Sequence, residues 1–119
     1  MRLNHIDLAV HDVPAASTFF QTHFGLTLTW KRPSLALLTD GYGFALVLSA
    51  LLESESETYP RGFHIGFNVP TSDEVSAQYE RIKAAAVPIV REPGLLGGAL
   101  TFQCMAPGGL VVEVGHRAA

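Results

Sequence analysis

The sequence predicts an α+β fold of two βαβββ modules, forming a cupped, mostly antiparallel sheet with helices on its outer face. Three observations predict it. A strand pattern with a histidine on its polar face opens the chain at Leu3–Val10 and restarts at Phe63–Val69. Each is followed by a capped segment with apolar residues at helical spacing, and each helix by three further extended runs.

Residues 2–10 alternate, with Asn4, Ile6, Leu8 and Val10 on one face and His5, Asp7 and Ala9 on the other. Asp12 reads as an N-cap with Pro14 in the first turn. Ala16, Phe19, Phe20 and Phe24 form a helical stripe, and Gly25 supplies the stop. Extended runs are expected at Leu26–Lys31, Leu35–Thr39 and Tyr42–Ala50, separated by Arg32-Pro33-Ser34 and Asp40-Gly41. Residues 51–61, rich in Glu and Ser, lose all apolar periodicity and read as a linker between module 1 (about 1–50) and module 2 (about 62–119) of one domain. In the second module Thr71 and Glu74 form a capping box, and Val75, Tyr79, Ile82 and Ala86 make the stripe. Strands are expected at about Pro88–Arg91, Ala99–Cys104 and Leu110–Gly115.

With 119 residues, 48% hydrophobic and 16% charged, the chain has the composition of a folded domain. Its net charge is −3 and its Lys and Arg residues are scattered, which argues against a nucleic-acid partner. No apolar run approaches the roughly 18 residues that span a bilayer, nor does the N-terminus read as a signal peptide, so a cytoplasmic setting without membrane contact is expected. The single cysteine, Cys104, allows no internal disulfide and falls in a strand, where a small buried hydrophobe is expected rather than a nucleophile.

The apolar faces of the two opening strands should pack under the helices, which turns His5 and His64 to the opposite side. Aligning the last strand of each module through Gly43–Leu48 and Gly109–Val114 sets Glu113 at the position held by Val47. Glu113 lies inside the apolar run Leu110–Val114, and a carboxylate there needs a cation, donors or exposure. Two imidazoles and a carboxylate converging on one face would answer that need by holding a divalent metal, with coordination positions open to substrate. Ligation requires neutral imidazoles, so such a site weakens as pH falls below about 6. His23 reads as a cation favouring a helix C-terminus, and His11 and His116 as surface residues, His116 doubling as a reserve ligand.

The opening Leu3–Val13, the helix from Ala15 to Gly25-Leu26, the restart Gly62-Phe63-His64-Ile65 and the closing Pro107–Val114 together resemble the vicinal oxygen chelate superfamily. That group includes glyoxalase I, extradiol dioxygenases and the fosfomycin- and bleomycin-resistance proteins. The resemblance covers essentially the whole chain. It implies up to four metal ligands, at the positions of His5, Val47, His64 and Glu113. Val47 cannot ligate, which argues against a glyoxalase I site and makes the His-His-Glu set resemble that of the extradiol enzymes. Ala106-Pro107-Gly108-Gly109 also departs from the Asp-Pro-Asp-Gly turn of many members.

Two functions are then expected. One is a small enzyme using Fe²⁺, Mn²⁺, Ni²⁺ or Zn²⁺ at His5, His64 and Glu113 to chelate an oxygen-bearing molecule, with lyase, isomerase or dioxygenase chemistry. The other is a metal-free protein that sequesters a small molecule or antibiotic. In that reading Trp30, Tyr42, Tyr59 and Phe102 supply apolar area, and Arg32, Arg61 or Arg91 meets an anionic group. The resemblance further implies a homodimer, with the site within one chain or shared between subunits.

Overall fold

The computed structural model describes residues 1–52 and 59–117; residues 53–58 of the expected linker lie outside the described residues. The chain divides into two compact units, Met1–Thr58 and Tyr59–Ala119.

The first unit contains β1 (His5–Val10), α1 (Val13–Phe24), β2 (Thr27–Arg32), β3 (Leu35–Thr39) and β4 (Ala45–Ala50). Asp12 caps α1 by accepting a hydrogen bond from the Ala15 amide at 2.9 Å, and Gly25 closes the helix at φ +66°, a left-handed conformation that glycine adopts at low cost. The sheet order is β1-β4-β3-β2. The β1–β4 pair is parallel and the other pairs antiparallel. Leu8, Val10, Ala36, Leu38, Leu46 and Leu48 turn inward beneath Phe19 and Phe20 of α1, all nearly inaccessible. Burying each large aliphatic or aromatic side chain contributes about 1.5–3 kcal/mol.

The second unit repeats this plan with β5 (His64–Asn68), α2 (Ser72–Ala84), β6 (Ile89–Leu96), β7 (Ala99–Met105) and β8 (Val111–His116), in sheet order β5-β8-β7-β6. The Thr71–Glu74 capping box is present, each side chain bonding the other's backbone amide. Val75 and Ile82 of α2 cover Phe102, Cys104, Val112 and Val114. Both βαβββ modules are therefore realised, each as a four-stranded mixed sheet with one helix.

Most strand ends fall within two residues of the sequence expectation, and three differences have a clear physical cause. Tyr42 precedes β4 rather than opening it, because the Asp40 carboxylate accepts from the amides of Tyr42 and Phe44 at 2.7 and 3.1 Å and holds residues 40–44 as a turn. Strand β6 runs to Leu96, five residues past Arg91. Pro93 does not stop it, since β6 is an edge strand and its register shifts on both sides of Arg91 absorb the missing amide. Gly97 and Gly98, at φ +57° and +81°, then form the two-residue turn into β7. Helix α2 ends at Ala84, and Ala86 lies beyond it at φ +60° instead of on the stripe.

Candidate functional site

The registers of the two sheets superpose residue for residue. His5, Asp7 and Ala9 pair with Ala45, Val47 and Ser49, as His64, Gly66 and Asn68 pair with Val111, Glu113 and Gly115. Leu35 and Leu37 in β3 then occupy the places of Thr101 and Gln103 in β7. This confirms His5 with His64, and Val47 with Glu113, as equivalent positions of the repeat. Because side chains alternate along a strand, all of these lie on the face that the helix does not cover.

In the first unit that face is largely apolar around Val47 and Leu37, extended by Trp30, which pairs with Leu37. Trp30 is 43% exposed, and the Arg32 guanidinium lies 4.6 Å from its ring centroid, a cation–π contact along the β2 edge. His5 is exposed and its Nδ1 lies 2.8 Å from Asn4 Oδ1. An amide oxygen only accepts, so Nδ1 carries the proton and Nε2 remains the ligating nitrogen. Asp7 accepts a short hydrogen bond from the Ser49 hydroxyl. Tyr42 stands exposed in the β3–β4 turn.

The second unit places polar groups at the same positions. Glu113 Oε1 accepts from Gln103 Nε2 at 3.3 Å and from Arg91 Nη2 at 3.4 Å. Arg91 is braced in turn by the Thr101 hydroxyl and, at 3.4 Å, by the Thr101 carbonyl. The other carboxylate oxygen, Oε2, faces His64 Nε2 at 3.8 Å. His64 Nδ1 is 2.8 Å from the Gly62 carbonyl, which can only accept, so Nδ1 is protonated. In a neutral His64 two acceptor atoms, Nε2 and Oε2, therefore face each other at a distance too long for a hydrogen bond. Such a pair of lone-pair donors can receive a metal cation between its members. The Glu113 side chain is 22% exposed and Arg91 33%, so part of the carboxylate's charge is already offset without a metal.

Among the described residues, no group of three or more His, Cys, Asp or Glu side chains is gathered as a metal cage would gather them. Within the second unit, His64 and Glu113 do lie side by side.

Phe102 departs from its expected role. It is fully buried and meets Tyr79 of α2 edge-on at 5.5 Å, on the helix side of β7, so it forms core rather than ligand surface. The alternation of β7 decides this: Phe102 and Cys104 point inward, while Thr101 and Gln103 take the other face. Tyr59 stacks on Phe63 at 5.2 Å. Cys104 is buried, and that burial pushes its thiol up to about 11, which keeps it protonated and inert as a nucleophile. His23 packs against Phe19 in the last turn of α1, and His116 Nδ1 donates to the Val69 carbonyl at 3.0 Å. Gln103 and Thr101 are site residues that sequence reasoning missed. Their signal was the period-two pattern of β7, read for its polar phase instead of its apolar one.

Comparison with known proteins agrees with this architecture. The family model of the Glyoxalase/Bleomycin resistance protein/Dioxygenase superfamily matches residues 2–114. Among solved structures, a possible glyoxalase from Bacillus cereus is 34% identical, with 96% of this chain and 97% of that chain covered and a TM-score of 0.83. A lactoylglutathione lyase from Agrobacterium tumefaciens shares the fold at 23% identity and a TM-score of 0.79, over 97% and 92% of the two chains. A glyoxalase-related enzyme from Fulvimarina pelagi does so at 20% identity and a TM-score of 0.82, over 98% and 88%. No curated protein matches the sequence. A repeated βαβββ plan, equivalent histidines at His5 and His64 on the uncovered faces and a family match over nearly the whole length lead to one assignment: the chain belongs to the Glyoxalase/Bleomycin resistance protein/Dioxygenase superfamily.

Proposed function

We propose that the protein is a small metal-dependent enzyme in which His5, His64 and Glu113 hold a divalent cation, Fe²⁺, Mn²⁺, Ni²⁺ or Zn²⁺, and an oxygen-bearing small molecule binds beside it. The observation that carries this reading is the facing of His64 Nε2 and Glu113 Oε2 at 3.8 Å, with His64 Nδ1–H committed to a backbone carbonyl. The donor chemistry fits a divalent ion: two imidazoles with their second nitrogens hydrogen-bonded, and one carboxylate oxygen not engaged by Gln103 or Arg91. When bound, the metal supplies Lewis acidity toward neighbouring substrate oxygens, chemistry suited to a lyase, isomerase or dioxygenase.

The chain's own groups have separate tasks. Asn4 and Gly62 fix the tautomers of the two histidines, and Gln103 and Arg91 hold Oε1 so that Oε2 is presented in one orientation. In this reading the protein works as a homodimer in the cytoplasm, with His5 contributed by the same chain or by its copy. The test is the metal content of protein purified without chelators, beside His64→Ala and Glu113→Ala. Stoichiometric metal in the parent and its loss from both variants is the expected result. A metal-free parent whose melting temperature does not respond to any of the four ions refutes it.

Two observations favour a second reading, a metal-free protein that sequesters a small molecule. Arg91 lies 3.4 Å from Glu113 Oε1 and offsets its charge, while Val47 leaves a ligand position of the repeat apolar. In that case ligand binding survives full chelation.

A further inference from the structure

The two units share one register, yet they differ in what stands on the floor of the uncovered face. In the first, Asp7 and Ser49 fill adjacent strands and bond to each other. At the equivalent places the second carries Gly66 and Gly115, which have no side chains. The result is an open groove of about 420 Å³ along β5 and β8, floored by these glycines and lined by Asn68, Thr101, Glu113 and Arg117 among others. The volume falls in the range of small-ligand sites.

The two glycines are not equivalent. A Cβ on Gly115 would come within 2.8 Å of Thr101 Cγ2, so packing alone accounts for that glycine. A Cβ on Gly66 would meet nothing closer than the Glu113 carbonyl at 3.9 Å, and its backbone is not left-handed. Neither sterics nor conformation requires glycine at 66. What its absent side chain leaves is room in the groove.

The groove is also polarised. Glu113 lies at one end, and Arg117, four residues on and so about 13 Å along an extended chain, stands at the other. The Arg117 guanidinium is anchored by donating from Nη1 to the Gly97 carbonyl at 2.7 Å, in the β6–β7 turn, which uses one of its five N–H donors. It is exposed, and among the described residues it makes no ion pair.

We propose that this groove is the ligand's head-group subsite: a compact oxyanion, carboxylate or phosphate, sits against Arg117, and the attached chain runs over Gly66 toward Glu113. Gly66 is thereby a specificity-determining position, and the repeat binds its ligand head group through the second unit because Asp7 and Ser49 fill the equivalent space in the first. The inference rests on the uncovered face being the ligand face, but not on a metal being held there.

The test is a titration of chelator-treated, isotope-labelled protein with propionate, with inorganic phosphate and with neutral propionamide, followed by amide chemical shifts. Propionate, phosphate or both should move the amides of Gly66, Asn68, Gly115 and Arg117, and propionamide should not; the two anions distinguish the head group. Arg117→Gln, at an exposed site, should weaken binding about tenfold or more. Gly66→Asn, level with Glu113, fills the path of the attached chain without adding charge: it should leave inorganic phosphate bound at Arg117 and weaken a carboxylate that carries a longer chain. Anion shifts that fall elsewhere, or that persist unchanged in Arg117→Gln, overturn the proposal whether or not Gly66→Asn folds. If metal ions raise the melting temperature while the anions leave these amides unmoved, the subsite fails and the metal reading stands. The converse result separates them the other way.

Discussion

Replacing Glu113 with Gln tests the metal reading through stability rather than activity. The substitution keeps the volume and the hydrogen bonds to Oε1 but removes the charge that faces His64. Without metal the cost is small: the Arg91–Glu113 pair is a third exposed on the arginine side, and a pair so hydrated is worth about 1 kcal/mol or less. With metal the difference is large. An ion present at about a hundred times its dissociation constant stabilises the native protein by about 2.7 kcal/mol. For a chain of 119 residues each kcal/mol moves the midpoint by roughly 3–6 °C, so saturation should raise it by roughly 8–16 °C. Differential scanning fluorimetry across Fe²⁺, Mn²⁺, Ni²⁺ and Zn²⁺ should show that increment for one or more ions in the parent. In Glu113→Gln most of it should vanish, while the metal-free midpoint falls by no more than about 6 °C. An unchanged increment in Glu113→Gln would mean that the ion binds elsewhere, and the reasoning from the His64–Glu113 geometry would be wrong.

Three further outcomes are expected. Phe102→Ala should destabilise by about 3–5 kcal/mol in urea unfolding, since Phe102 is fully buried against Tyr79; a loss under 1 kcal/mol would return it to the ligand surface. Ala86→Gly should stabilise by about 0.5–1 kcal/mol, because Ala86 is held at φ +60°, where only glycine is unstrained; a destabilised variant contradicts this. Cys104 should resist thiol reagents at pH 8 until the protein unfolds. Its folded pKa, raised from 9.0 to about 11, also makes its contribution to stability complete below pH 9 and lost as pH rises toward 11. Unfolding midpoints compared at those two pH values should fall further in the parent than in Cys104→Val, which shares the titration of every other group.

Much of this protein was determined by local chemistry that the sequence displays. The Asp12 cap, the Gly25 stop and the Thr71–Glu74 box need only neighbouring residues, so the helices start where those residues stand. The period-two pattern of β1 and β5 likewise assigns His5 and His64 to the uncovered face before any partner strand is known. The restart of that pattern at Phe63 is enough to reveal the repeat. What sequence could not supply was pairing between strands far apart in the chain. Only the sheet register brings Gln103 and Arg91, ten and twenty-two residues from Glu113, to one of its oxygens and leaves the other facing His64. The length of β6 was likewise hidden, because Pro93 looks like a terminator until the strand is known to lie at an edge. Phe102 was misplaced for the same reason: an aromatic in a strand has two faces to choose from, and the helix packed on one of them makes the choice. Local rules thus determined the elements and their capping. Non-local hydrogen bonding, which sequence pattern does not encode one residue at a time, decided which polar groups meet.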